Sequence, residues 1–202
     1  MTTAAAWEAS PDRLPSDVSA VLDSSRDESL LGRRRLAAIP EWEVPLEGGD
    51  TASRTDVLAL CSNQYGLCVV AVEGKVDEDF GPLLGKKRAD ATPGVNTRLE
   101  SLQEILKHSS FDDSIRYQFL HRTASALLTA REFHARTAVM VVQSFGSKTS
   151  LREDFNNFCQ ALGATEIEAG LYLAKSFDAP RLFLVWCDGD KKFLQVDLPS
   201  TY

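Results

Sequence analysis

Two carboxylates and one lysine stand close together in a predicted β-hairpin of this chain. Two apolar runs, 55–61 and 67–73, lack proline and are typical of buried strands, and the five polar residues between them have turn chemistry. In such a hairpin, residues whose numbers sum to about 129 face each other, which sets Asp56 opposite Glu73. Lys75 shares a face with Glu73, because side chains alternate along a strand. Facing carboxylates repel unless a cation lies between them, so the pattern predicts a divalent-metal site with a lysine beside it.

An Asp on one strand followed by Glu-x-Lys on the next resembles the PD-(D/E)XK nuclease superfamily. Asp56 matches the first acid, and Glu73 with Lys75 matches the Glu-x-Lys half. The flanking segments EWEVPLEGG and RYQFLHRTASALL resemble a family of uncharacterised bacterial proteins in or near that superfamily, over roughly residues 36–187. Thr55 replaces the Pro of the signature, at a position that varies within the superfamily.

The resemblance implies a magnesium-dependent phosphodiesterase, a hydrolase that cleaves nucleic acid, with DNA the expected substrate and Mn²⁺ an alternative cation. It implies that Asp56 and Glu73 bind the metal together with the main-chain carbonyl of Gly74. Lys75 would then orient or deprotonate the attacking water, or stabilise charge on the phosphate. One or two carboxylates and a carbonyl suffice for Mg²⁺, because this ion keeps several waters.

Two further groups of residues are candidates for the same site. Many superfamily members place a Gln, Lys or Arg on the helix after the Glu-x-Lys strand, pointing at the active site. Gln118 and Arg122, one helical turn apart, fit that role and are the substrate-binding residues that the resemblance implies. Arg122 is suited to bidentate contact with a phosphate. Tyr117 and His121 form a second pair on that helix, for which a structural hydrogen bond of His121 is the simpler interpretation. An additional acid is left open among the upstream carboxylates Glu41, Glu43 and Glu47.

The elements predicted around the hairpin indicate an α/β fold with a restriction-endonuclease-like mixed central sheet flanked by helices. Residues 1–14 are expected to be flexible, and 15–202 to form a single nuclease-like domain. The charged segment 76–94 contains Pro and Gly and is expected to be a mobile loop near the site. The remaining predicted elements are helices within 15–36, at 97–107, 112–133 and 151–162, and strands at 37–46, 138–145, 171–177 and 181–187.

Composition sets limits on the class of protein. The 202 residues are 44% hydrophobic and 25% charged, which is typical of an ordinary globular chain. No apolar run approaches the roughly 20 residues that span a bilayer, and the N-terminus lacks a secretion signal, so a cytoplasmic location without membrane contact is expected. The net charge of −7 argues against a surface that coats nucleic acid broadly, although it permits a basic cleft. The four cysteines lack zinc-site spacing and are expected to be buried free thiols.

Two rival functions remain open at this stage. A catalytically inactive relative could keep the fold and serve as a binding or interaction module, because a fold does not carry function by itself. An enzyme acting on a small phosphoester is the other alternative. The sequence also leaves open whether the protein is a monomer or a homodimer.

Overall fold

The computed structural model describes residues 2–195, and within that range the chain forms one seven-stranded sheet with helices on both faces. The helices are α1 (Thr2–Glu8), α2 (Ser16–Asp23), α3 (Leu84–Ala89), α4 (Pro93–Ile105), α5 (Tyr117–Glu132) and α6 (Thr149–Ala161). The strands are β1 (Arg34–Val44), β2 (Ser53–Asn63), β3 (Gly66–Lys75), β4 (Thr137–Ser144), β5 (Ala164–Glu168), β6 (Leu171–Asp178) and β7 (Arg181–Asp188).

The sheet is mixed, with the strand order β1-β2-β3-β4-β7-β6-β5. Its centre is parallel, because β4 pairs in parallel with both β3 and β7, whereas the outer pairs are antiparallel. The crossover from β3 to β4 runs through α3, α4 and α5. This architecture confirms the predicted α/β class with a mixed central sheet flanked by helices.

Two apolar cores lie on opposite faces of the sheet. On one face α5 packs through Leu120, Ala124 and Leu127, which are fully buried and recur at helical spacing. On the other face α1 and α2 cover the even-numbered residues of β3, among them Val70 and Val72. Burying a leucine side chain stabilises a fold by about 1.5–3 kcal/mol, so the α5 stripe holds that helix firmly against β3 and β4.

The start of the chain differs from the flexible segment expected over residues 1–14. Thr2–Glu8 is helical, and Trp7 is only 4% exposed. The Trp7 indole N–H donates to Oε1 of Gln143 at the end of β4, at 3.1 Å. A seven-residue helix is marginal in isolation even with three alanines, so tertiary packing rather than local sequence stabilises α1.

Two other expectations need correction. The segment 76–94 contains the short helix α3 and is anchored by Phe80 and Leu84, both fully buried, where a mobile loop was expected. Strand β5 was not predicted, because it is only five residues long and two of them are glutamates, which are depleted in strands. Residues 196–202 of the predicted domain lie outside the described residues.

Candidate active site

The β2–β3 hairpin pairs in the predicted register. Val57 lies opposite Val72 and Cys61 opposite Cys68, so the paired numbers sum to 129. The ladder ends at Val57, one residue before the two carboxylates. There the backbone amide of Gly74 donates to Oδ2 of Asp56, at 2.7 Å. The hairpin therefore brings Asp56 to the carboxyl-terminal end of β3, as the sequence predicted.

Glu73 is the centre of a buried polar cluster that contains three other predicted site residues. Its Oε1 accepts from Nε2 of Gln118 at 2.6 Å and lies 2.9 Å from Nζ of Lys75. Its Oε2 accepts from Nε of Arg122 at 2.5 Å. Gln118 and Arg122 reach it because α5 presents them one turn apart toward β3. The structure thus assembles Glu73, Lys75, Gln118 and Arg122 around one carboxylate.

Lys75 is enclosed by apolar and charged neighbours. Its side chain is 6% exposed, and Nζ lies 5.1 Å from the centroid of the Phe80 ring, close enough for a cation–π contact. The Lys75 carbonyl accepts from the amide of Phe145 at 2.7 Å, which fixes the strand end beside β4. The ammonium is therefore held in one position, with Glu73 as its carboxylate partner.

Asp56 is electrostatically the least satisfied member of the site. Burial and, after it, the neighbouring Glu73 charge raise its pKa to about 6, although the Gly74 amide and Arg122 act to lower it. Within residues 2–195, the Gly74 amide is the one hydrogen-bond donor to its carboxylate. A carboxylate held in this way gains from an added cation.

The open side of the site is a cleft of about 390 Å³. Its walls include Thr3, Glu41, Asp56, Gly74, Lys75 and Glu78. Three of these residues carry carboxylates and one an ammonium, so the cleft suits a cation and, once a cation is present, an anion. Glu73 lies behind this wall, where Lys75 and Arg122 neutralise it.

The three upstream carboxylates that were candidates for the site lie in different surroundings in the structure. Glu41 lines the cleft, and its charge contributes to the raised pKa of Asp56. Glu43 is paired with Arg54 at 2.6 Å on the exposed side of the hairpin. Glu47 lies in the connection between β1 and β2, where its carbonyl accepts from Arg98. Of the three candidates, only Glu41 is at the site.

Two residues at the cleft were missed by sequence reasoning. Thr3 of α1 packs so closely on Gly74 that a Cβ at position 74 would lie 1.7 Å from the Thr3 hydroxyl oxygen. Glu78 accepts from the amides of Val76 and Asp77 and so closes the turn that leaves β3. Thr3 had no local signal, because its position depends on the packing of α1 against the sheet.

The residues that could hold a metal are Asp56 and the main-chain carbonyl of Gly74. The amide and carbonyl of one strand residue point the same way, so the Gly74 carbonyl faces the side on which Asp56 accepts from its amide. Within residues 2–195, no three His, Cys, Asp or Glu side chains lie together as a metal-binding group. One or two carboxylates with waters satisfy Mg²⁺, so the unbalanced charge of Asp56 fits that ion. Glu73 would become a metal ligand if the cation replaced the Lys75 ammonium beside its carboxylate.

Arg122 and His121 both form hydrogen bonds within the fold. Arg122 donates from Nη1 to the Ser53 hydroxyl at 3.0 Å and from Nε to Glu73, so it positions Glu73, and its contact with phosphate stays a prediction. His121 Nδ1 lies 2.9 Å from the Ser53 Oγ. Burial, with the positive charges of Arg122 and nearby cations, lowers the pKa of His121 to about 3, so this ring is neutral. This agrees with the structural hydrogen bond considered for His121 from the sequence.

The four cysteines are buried and free, as expected. Burial raises the pKa of Cys61 to about 11, which leaves its thiol protonated at neutral pH. None of the helices in the described part of the chain is both long and apolar enough to cross a membrane.

The family described as Domain of unknown function (DUF6946) matches residues 1–191, and the chain belongs to that family. No curated protein and no solved structure matches it.

Proposed function

We propose that this member of the DUF6946 family is a metal-dependent phosphodiesterase of the PD-(D/E)XK type that hydrolyses nucleic acid, with DNA as the first substrate to test. One observation carries the proposal: the Asp on β2 and the Glu-x-Lys on β3 meet at one strand end. There Lys75 is held against Glu73 at 2.9 Å, with Asp56 on the adjoining cleft wall. A lone Glu-x-Lys would be an ordinary pair of surface charges, whereas this pair is buried and supported by two side chains from α5.

Each residue has a role that follows from its contacts. Asp56 and the Gly74 carbonyl would hold Mg²⁺ or Mn²⁺, with Glu73 joining them. Such a cation polarises a phosphoryl oxygen and lowers the pKa of a bound water. Lys75 lines the cleft, and its ammonium, once released from Glu73, would hydrogen-bond to the attacking water or to the phosphate oxygen that gains charge. Gln118 and Arg122 position Glu73, because their donors are already directed at its two oxygens.

The charge balance of the site favours binding of a cation before the substrate. Glu41, Asp56 and Glu78 on the cleft wall, with Glu73 behind it, carry more negative charge than Lys75 and Arg122 offset. A divalent cation neutralises this remaining negative charge, which would otherwise repel a phosphodiester anion. We therefore expect the affinity for an oligonucleotide to rise when Mg²⁺ is present.

A second function, that of an inactive fold used as a binding module, is favoured by one specific observation. Both Glu73 oxygens already have partners in the structure, and α1 packs directly on Gly74 beside the cleft. A site used for cleavage must release Lys75 from Glu73 when the cation binds. A binding module would keep this cluster as a structural support.

The deciding experiment is cleavage of single- and double-stranded DNA and RNA with Mg²⁺ or Mn²⁺. Lys75→Met keeps most of the buried stem and removes the charge, so it should abolish cleavage while the protein stays folded by circular dichroism. Lys175→Met, at an exposed position on β6, is the matched control and should cleave like the wild type. Cleavage retained by a folded Lys75→Met protein would refute the catalytic assignment. No cleavage of any substrate, with no cation-dependent rise in Tm, would favour the binding module.

A further inference from the structure

A second cavity, of about 380 Å³, lies on the other side of Arg122 from the candidate active site. It is bounded by the β1–β2 connection, α3, α4 and the first two turns of α5. Its lining includes Gly48, Ser53, Lys87, Arg98, Tyr117 and His121. Its volume is at the lower end of the range of about 300–1,000 Å³ for small-molecule sites.

The cavity is positively charged in a chain whose net charge is −7. Lys87 and Arg98 line it, and none of its described lining residues is an Asp or Glu. Within residues 2–195, Lys87 has no carboxylate within 4.0 Å, and its Nζ lies 5.1 Å from the centroid of the Tyr117 ring. An ammonium held over an aromatic ring without a counter-ion is suited to an anionic ligand.

The wall of the cavity formed by the β1–β2 connection is held in place by contacts with α4. Arg98 donates from Nε to the Glu47 carbonyl at 3.0 Å and from Nη2 to the Leu46 and Gly49 carbonyls, at 3.2 and 3.0 Å. Gly48 has a φ of +80°, and a Cβ there would lie 2.2 Å from the Gly94 carbonyl oxygen. Only glycine permits this close approach of the β1–β2 connection to α4, so the cavity has a fixed shape.

Hydrogen bonding around Ser53 leaves His121 as a further donor. Arg122 Nη1 donates to the Ser53 Oγ, so the hydroxyl proton is free to go to His121. Nδ1 of His121 is 2.9 Å away and its carbonyl 3.5 Å, which makes Nδ1 the better acceptor. The neutral His121 ring then carries its proton on Nε2, and His121 is one of the residues that line the cavity. Burial is the main cause of the lowered pKa of His121, and the charges of Arg122, Arg98 and Lys87 lower it further.

We propose that this cavity binds a phosphate group carried by a nucleotide or by a nucleic-acid strand. The ammonium of Lys87 and the neutral His121 ring offer donors, and the guanidinium of Arg98 adds positive charge, without a facing carboxylate on the described lining. A phosphate presents several acceptor oxygens and negative charge to match them. The space exceeds that of a phosphate alone, which leaves room for an attached nucleoside.

This site goes beyond the proposed nuclease function and does not depend on it. Three successive hydrogen bonds connect it with the candidate active site: His121 to Ser53, Ser53 to Arg122, and Arg122 to Glu73. A ligand that holds the His121 ring would also restrain Arg122 and hence the Glu73 carboxylate.

The test is calorimetric titration of the full chain without metal. The ligands are inorganic phosphate, a nucleoside 5′-monophosphate, the nucleoside itself, and an oligonucleotide with or without a 5′-phosphate. Phosphate-bearing ligands should bind and the nucleoside should not. Binding of inorganic phosphate or the monophosphate indicates a free ligand as the source, and binding of the 5′-phosphorylated oligonucleotide alone indicates a strand end.

Lys87→Gln should weaken phosphate binding by roughly tenfold or more, because it removes a charge-assisted contact. Lys86→Gln changes the same charge one residue away on the exposed side of α3 and should leave binding unchanged. Because the titration contains no metal and requires no cleavage, a failed nuclease assay and a failed phosphate site remain distinguishable. The proposal is overturned if no phosphate compound binds, if the nucleoside binds equally well, or if Lys87→Gln binds like the wild type.

Discussion

Replacing Asp56 by Asn should stabilise the protein at neutral pH. The carboxylate accepts one hydrogen bond, from the Gly74 amide at 2.7 Å, and an Asn side-chain oxygen can accept the same bond. The substitution removes the charge that burial and Glu73 disfavour and that raises the pKa of Asp56 to about 6. A residue that lowers stability in this way is expected at a site retained for binding or catalysis.

The size and sign of the effect follow from the pKa of Asp56. A pKa of about 6 in the folded chain against the ordinary value of 3.8 corresponds to about 3 kcal/mol. Below pH 4 the Asp56 carboxyl is protonated in both the folded and the unfolded chain, so it does not lower the free energy of unfolding. Between pH 4 and 6 the unfolded chain ionises first, so the free energy of unfolding falls as pH rises. Above pH 6 the folded protein also loses the proton, and the whole penalty of about 3 kcal/mol remains.

Urea unfolding of the wild type and of Asp56→Asn between pH 5 and pH 8 measures this difference. The variant should be more stable by about 2–3 kcal/mol at pH 7.5, and the gap should narrow toward pH 5. Asp12→Asn, which removes an exposed carboxylate, should show no such dependence on pH. A variant less stable than the wild type at pH 7.5, or a gap that is constant with pH, would refute the electrostatic reasoning. Added Mg²⁺ should raise the Tm of the wild type but not that of Asp56→Asn.

Two further substitutions test the supports of the site. Gly74→Ala places a methyl group 1.7 Å from the Thr3 hydroxyl oxygen, so helix α1 should shift away from the sheet. Trp7 on α1 should then become more exposed to water, and its fluorescence emission should move to longer wavelength. An unchanged emission spectrum would contradict the close packing of α1 on Gly74. Arg122→Met leaves Glu73 buried with one cation fewer and should cost about 3–5 kcal/mol in urea unfolding, of which Glu73→Gln in the same chain should restore part. A loss below about 1 kcal/mol would show that Arg122 does not neutralise Glu73.

The hairpin at the site was predictable because its determinants are local. Two apolar runs without proline, 55–61 and 67–73, with a short turn between them, define which residues face each other, and Val57 pairs with Val72 as expected. The helical repeat likewise set Gln118 and Arg122 on one face, and the stripe of Leu120 and Leu127 directs that face toward β3.

The surroundings of the site were not predictable because they depend on contacts distant in sequence. The helix of Thr2–Glu8 is stabilised by burial of Trp7 and its hydrogen bond to Gln143, which is 136 residues away. The partners of Arg122 show the same limit. Its charge indicated phosphate contact, whereas the fold directs it to Glu73 and to Ser53, 69 residues earlier. Local spacing shows which side chains share a face, but not what the facing element carries.

The position of α1 has a practical consequence for protein production. Thr2 and Thr3 form part of the cleft wall beside Asp56 and Lys75, so anything fused ahead of Thr2 begins at the mouth of the cleft. A histidine tag there would bring imidazoles that compete for the added Mn²⁺, and a larger fusion partner would obstruct a duplex. Samples for metal titration or cleavage should therefore carry no N-terminal fusion, or should have it removed by a protease first.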